Sequence, residues 1–268
     1  MRGEFVELDG DRLYYFAAGT RGQGCPVVFL HGFPTTSHLW QEVVPLVPPG
    51  RRVVVMDQLG CGRSVAAPGA DLGIPSQARR TLRLLDALRI ECASLVTHGI
   101  GALIATELAR QARGRVSDLL LVNPARASAP LHGWGTLRWL TGVVRWAAPT
   151  VGASLLHGAM VKRFFDKSRA VHSADLYARP FAGPSGPAVL TGHLRALARP
   201  CAEPDMGESP PRASIVCGRE CRHDRRVAAA FAAAIPGATL HEVPAAGHFL
   251  PEEAPEQLAK ILASHLAP

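Results

Sequence analysis

The chain has 268 residues, enough for one large domain or two small ones around a sizeable core. Hydrophobic residues make up 47% and charged residues 19%, which excludes wholesale disorder. The formal net charge is +7, from 29 basic against 22 acidic residues, but the arginines are dispersed and no dense basic tract interleaved with aromatics exists.

Such a surplus suits an anionic ligand or carrier protein in principle. With lysine only at 162, 167 and 260, it is read instead as the mark of a soluble enzyme from an Arg-favouring, Ala-rich proteome. Neither nucleic acid nor a membrane is expected as a partner. Met1–Gly10 has no apolar stretch of the secretory kind. Leu137–Leu156 is the best membrane candidate, but Arg138, Arg145 and Pro149 interrupt it, so it reads as amphipathic helix. Six thinly spread cysteines (25, 61, 92, 201, 217, 221) do not form a disulfide scaffold, and a reducing cytoplasm fits them. Cys217, Cys221 and His223 match no common zinc spacing.

In chain order, Glu4–Leu8 and Arg12–Ala17 flank Asp9-Gly10-Asp11, the pattern of a hairpin. Short apolar runs follow at Pro26–Leu30, Val53–Met56, Ala93–Val96, Leu119–Val122, Ile215–Cys217 and Leu240–Val243, as expected of parallel strands buried on both faces. Helical patterns lie between them at Ser76–Leu88, Ile100–Arg113, Arg225–Ile235 and Pro255–Leu266. The alternation predicts an α/β domain with a mostly parallel central sheet flanked by helices. From 125 to 211 no convincing strand occurs, and the stretch holds Trp134, Trp139 and Trp146. It is read as an inserted helical cap, leaving 1–124 and 212–268 as the core.

Four motifs sit at strand ends: His31-Gly32-Phe33-Pro34, Asp57-Gln58-Leu59-Gly60-Cys61-Gly62-Arg63-Ser64, Thr97-His98-Gly99-Ile100-Gly101 and Gly247-His248-Phe249. In this order and at these junctions they closely resemble the α/β-hydrolase fold family, in the branch with haloalkane dehalogenases, epoxide hydrolases and mesoderm-specific-transcript-like proteins. The resemblance implies a nucleophile on a strand–turn–helix elbow, a histidine base after the last strand, an acid that orients it, and an oxyanion hole from the Phe33 and Ile100 amides. It also implies that His31 and Asp57 brace loops and that the Phe33–Pro34 bond is cis. Trp40 is expected to pack a helix.

The chain departs from the pattern at its centre. The elbow reads Gly99, which has no side chain to attack with. The family's acid position aligns with Cys221, and the alternative one with Asn123. Both nucleophile and acid are therefore expected to be missing, while His248 and the oxyanion frame remain. Glu220 and Asp224 are candidates to orient His248, Asp224 being read rather as a helix cap and Glu220 as solvent-facing. A Cys221–His248 thiolate pair is a further option, weighed against a small buried thiol. His98, Trp134, Trp139 and Asn123 are candidates to line the substrate site. Because the acid is expected to be absent too, Gly99→Ser alone is expected not to restore strong esterase activity.

The function that follows is nucleophile-independent chemistry on an apolar small molecule, with His248 as general base: cyclisation, elimination, isomerisation or C–C cleavage. Hydrolysis of an ester, epoxide or halide by water activated at His248 is one alternative, and a non-catalytic ligand-binding protein is another. No metal or organic cofactor is implied.

Overall fold

The hairpin opens the molecule: β1 (Gly3–Leu8) and β2 (Asp11–Ala18) pair antiparallel, and Asp9 and Gly10 both take the positive φ that a tight hairpin turn demands. The apolar runs become β3 (Val27–Leu30), β4 (Val53–Met56), β5 (Ala93–His98), β6 (Val116–Val122), β7 (Arg212–Gly218) and β8 (Thr239–Val243). The sheet order is β1-β2-β4-β3-β5-β6-β7-β8. β2 meets β4 antiparallel, and every pairing from β4 to β8 is parallel. This computed structural model describes residues 3–19, 22, 24–125, 149–197 and 210–267.

Strand alternation divides the core into two layers. Val28, Leu30, Val54, Met56 and Leu95 face helices α1 (Ile74–Ala87), α2 (Gly101–Gln111) and α6 (Arg222–Ala234). Val27, Phe29, Val53, Val55 and Val96 face the other way, toward Trp40, the closing helix α8 (Pro255–His265) and the insertion. Trp40 is fully buried, 5.1 Å from the Phe29 ring, and so packs the core as expected.

Between β6 and β7 the described residues form α3 (Pro149–Arg163), α4 (Lys167–Ala178), a 3₁₀ turn (Arg179–Phe181) and α5 (Gly186–Leu197). These helices lie over the carboxyl ends of the strands. Phe181 and His193 meet Phe33 after β3, at ring separations of 5.6 and 4.8 Å. Phe164 stacks on Phe249 after β8, at 4.0 Å and 15°. Trp134, Trp139 and Trp146, most of Leu137–Leu156, and residues 126–148 and 198–209 of the expected cap lie outside the described residues.

The seam between insertion and core is polar at two neighbouring glutamates of the short helix α7 (Leu250–Glu253). Glu252 is buried and accepts hydrogen bonds from the Ser173 and Tyr177 hydroxyls of α4. Glu253 accepts from the Phe165 amide at 2.5 Å, the Asp166 amide at 3.1 Å and the Gly247 amide at 2.7 Å. One carboxylate thus ties the end of α3 to the loop that carries His248.

The cysteines depart from expectation. Cys25 and Cys92 form a disulfide across the starts of the neighbouring strands β3 and β5. Their separation of 67 residues leaves no local signal, because the pairing arises only once the strands align. Cys61, Cys217 and Cys221 are free. Among the described residues no helix is long and apolar enough to cross a membrane, and no cluster of residues could hold a metal ion.

Candidate active site

β5 runs straight into α2 through a two-residue elbow, His98 having been the last strand residue and Gly101 the first helical one. Gly99 sits at the turn with φ +57°, a left-handed conformation that L side chains adopt only with strain. A Cβ built there would meet nothing nearer than the Gly32 Cα at 3.6 Å, an ordinary contact. The elbow keeps its left-handed turn and has room for a Cβ. Gly32, on the facing loop, is glycine for a different reason: a Cβ would come within 2.9 Å of the His98 carbonyl. Its absence lets the Phe33 loop lie against the elbow, as an oxyanion frame requires. Ile100 caps the amino end of α2, where the helix dipole favours negative charge.

His31 and Asp57 hold these loops, as the resemblance implies. The His31 Nε2 accepts from the Gln58 amide at 2.8 Å while Nδ1 donates to the Gly32 carbonyl at 2.7 Å. Asp57 accepts from the Ser37 and Arg63 amides at 2.6 and 2.8 Å. The Phe33–Pro34 bond is cis.

His248 does have an acid. Its Nδ1 lies 2.8 Å from the Asp224 Oδ2; Asp224 is buried and His248 keeps a small exposed edge. Asp224 was expected as the helix cap. It lies instead in the third position of α6, whose cap is Cys221. Residues three apart share a helix face, so Asp224 projects from one turn further along toward the place where the family's acid stands. Burial works against its charge, but His248, Arg163 and the Cys221 thiol hold its carboxyl below the usual range. An ionised Asp224 can only accept, so the proton of a neutral His248 sits on Nδ1 and Nε2 carries the lone pair.

The remaining candidates separate cleanly. Burial pushes the Cys221 thiol up to about 11, and Asp224 nearby adds to this, so no thiolate forms at neutral pH. Glu220 is exposed and does not orient His248. Asn123 is fully buried with its amide committed: Nδ2 donates to the Gly247 and His248 carbonyls at 2.9 and 2.7 Å, and Oδ1 accepts from Gly218 at 3.0 Å. It braces the His248 loop and has no group left for a substrate. His98 is likewise buried. Its Nε2 donates to the His248 carbonyl at 2.8 Å, and burial, with His248 beside it, takes its imidazole down to about 3. It is a neutral support under the His248 loop.

One residue had no signal in the sequence. Arg163, at the end of α3, places its Nη2 3.0 Å from the His248 Nδ1 and 3.7 Å from the Asp224 Oδ1. Burial first, and the Arg163 charge second, lower the basicity of His248 against the opposing pull of Asp224.

The model of the alpha/beta hydrolase family matches residues 27–261. A haloalkane dehalogenase of Mesorhizobium japonicum is 34% identical over 133 residues, covering 50% of this chain and 41% of that protein. A cis-3-alkyl-4-alkyloxetan-2-one decarboxylase of Shewanella oneidensis is 27% identical over 186 residues, covering 66% and 57%. The chain spans about two fifths to two thirds of the length of the curated relatives it matches. Among solved structures, an enol-lactonase of Burkholderia xenovorans superposes with a TM-score of 0.82 at 22% identity, over 98% of this chain and 99% of that one, which is a likeness of fold.

Proposed function

The chain belongs to the alpha/beta hydrolase family, and from that premise we propose an enzyme that works without a covalent nucleophile. His248 takes a proton from an apolar, carbonyl-bearing small molecule at Nε2. Asp224 stabilises the imidazolium, and the Phe33 and Ile100 amides hold the charge that develops on the carbonyl oxygen. The same imidazolium returns the proton to product. Elimination, isomerisation, cyclisation and C–C cleavage all fit this cycle, because none needs an enzyme-bound ester. The observation that carries the reading is Gly99, an elbow of the right conformation with no side chain to attack with, beside a histidine oriented by a buried aspartate. The relative named as an oxetanone decarboxylase lends it support.

A second reading rests on the same Asp224–His248 pair. In it His248 activates a water toward an ester, epoxide or halide. The dehalogenase and epoxide hydrolase names among the relatives favour that chemistry.

The test compares the unmodified chain with His248→Ala. One arm is a panel of activated esters, epoxides and haloalkanes. The other follows deuterium uptake next to the carbonyl of enolisable lactones and ketones in heavy water. The proposal expects no hydrolysis, and proton exchange that falls about 10²–10⁴-fold with His248→Ala. Hydrolysis lost with His248 would establish the water-activating route instead. Exchange and hydrolysis both absent, with a ligand still bound in either protein, would make this a binding protein.

A further inference from the structure

We infer that Arg163, carried by the helical insertion, is a positioning residue that holds His248 as a neutral base beside Asp224. The inference rests on the reading of His248 as the base.

Its geometry is specific. The guanidinium lies 3.0 Å from the His248 Nδ1 and 3.7 Å from the Asp224 Oδ1. With the Nδ1 proton donated to Asp224, Nδ1 has no lone pair for Arg163, which acts on the ring through its charge: an imidazolium would face a second fixed cation, whereas a neutral ring leaves one ion pair, Arg163 with Asp224. The contact is held in place from both ends. Glu253 accepts from Phe165 and Asp166, just past Arg163, and from Gly247, just before His248. The seat of the insertion therefore fixes the distance between Arg163 and the base. The arrangement suits a shuttle with no covalent intermediate: a base of modest strength gives its proton back readily, and it reaches that state only with the insertion docked.

The charged and titratable groups facing His248 are few. His98 lies under it on β5, Cys221, His223 and Asp224 come from α6 and its entry, Arg163 comes from α3, and Glu253 clasps the adjoining backbone. His98 is neutral, and Cys221 remains a thiol, so the balance is set mainly by Asp224 against Arg163.

The experiment is a pH titration of the His248 ring by NMR on the full chain with labelled histidine, in unmodified protein, Arg163→Gln and Arg163→Lys. Removing the positive charge should move the His248 midpoint upward in Arg163→Gln, and restoring it in Arg163→Lys should return the midpoint toward the unmodified value. An unchanged midpoint in Arg163→Gln would overturn the inference. So would an equal shift in both variants, which would mark a packing disturbance rather than a charge effect. The titration reads the ring whether or not any substrate turns over, so failure of the proposed chemistry and failure of this assignment are separable.

Discussion

At Gly99 the backbone conformation and the missing side chain pull in one direction. Glycine holds φ +57° without penalty, while an L residue in this region loses about 1–2 kcal/mol. Because the added Cβ meets only the Gly32 Cα at 3.6 Å, no steric overlap adds to that figure. Gly99→Ser should therefore fold and lose about 1–2 kcal/mol, read from its denaturant midpoint; a loss beyond about 3 kcal/mol would show that the space before the elbow is not open. The expectation that this variant stays inert loses its premise, since the acid is present. The glycine itself was legible in the sequence, between His98 and Ile100 at an unmistakable junction. Asp224 was legible only as one of two candidates and was read rather as a cap, because the aligned position three residues earlier is a cysteine, and only the helical turn between them brings the carboxylate to His248.

The insertion and the core meet through α7, and that seam carries its own pH response. Burial raises the Glu252 carboxyl to about 7, against the pull of the Ser173 and Tyr177 hydroxyls and with help from the neighbouring Glu253 and Glu42 charges. A carboxyl raised on folding costs stability once it ionises. The native state keeps its proton between the ordinary glutamate value and about pH 7, the unfolded state does not, and so stability falls as pH rises through that window. The loss should be roughly 3 to 4 kcal/mol at most. Glu252→Gln should flatten the dependence of the melting temperature on pH between about 4.5 and 7; an undiminished slope would place its source elsewhere. The helical character of this region was readable from its lack of strand patterns. Its contacts were not, since Arg163 and Glu253 gain meaning only when the end of α3 and the His248 loop come side by side.

Across the whole molecule, the order of strands and helices followed from apolar runs of three to five residues broken by helical spacing. The two-layered core explains why, as β3 to β5 bury both faces and so show continuous rather than alternating hydrophobicity. The Cys25–Cys92 bridge escaped that reading because it depends on the register of β3 against β5. Closing a loop of this length removes unfolded-state freedom equivalent to about 4 kcal/mol, with about 2–4 kcal/mol typical in practice. Cys92→Ser should lower unfolding stability by about that range, and a reducing agent should destabilise the unmodified chain but leave Cys92→Ser unaffected. Equal sensitivity of both proteins to the reductant would contradict a stabilising role for the bridge.

The central claim is that the site keeps everything but its nucleophile, with His248 and Asp224 working as a pair behind an oxyanion frame. Its most direct measurement is intact-mass analysis after exposure to an activated ester such as p-nitrophenyl butyrate, applied to the unmodified chain, Gly99→Ser, and Gly99→Ser combined with His248→Ala. The account predicts an acyl adduct on Gly99→Ser, with a burst of nitrophenolate, and none on the other two. An adduct on the unmodified chain would reveal a nucleophile elsewhere, and a folded Gly99→Ser that never acylates would contradict the claim.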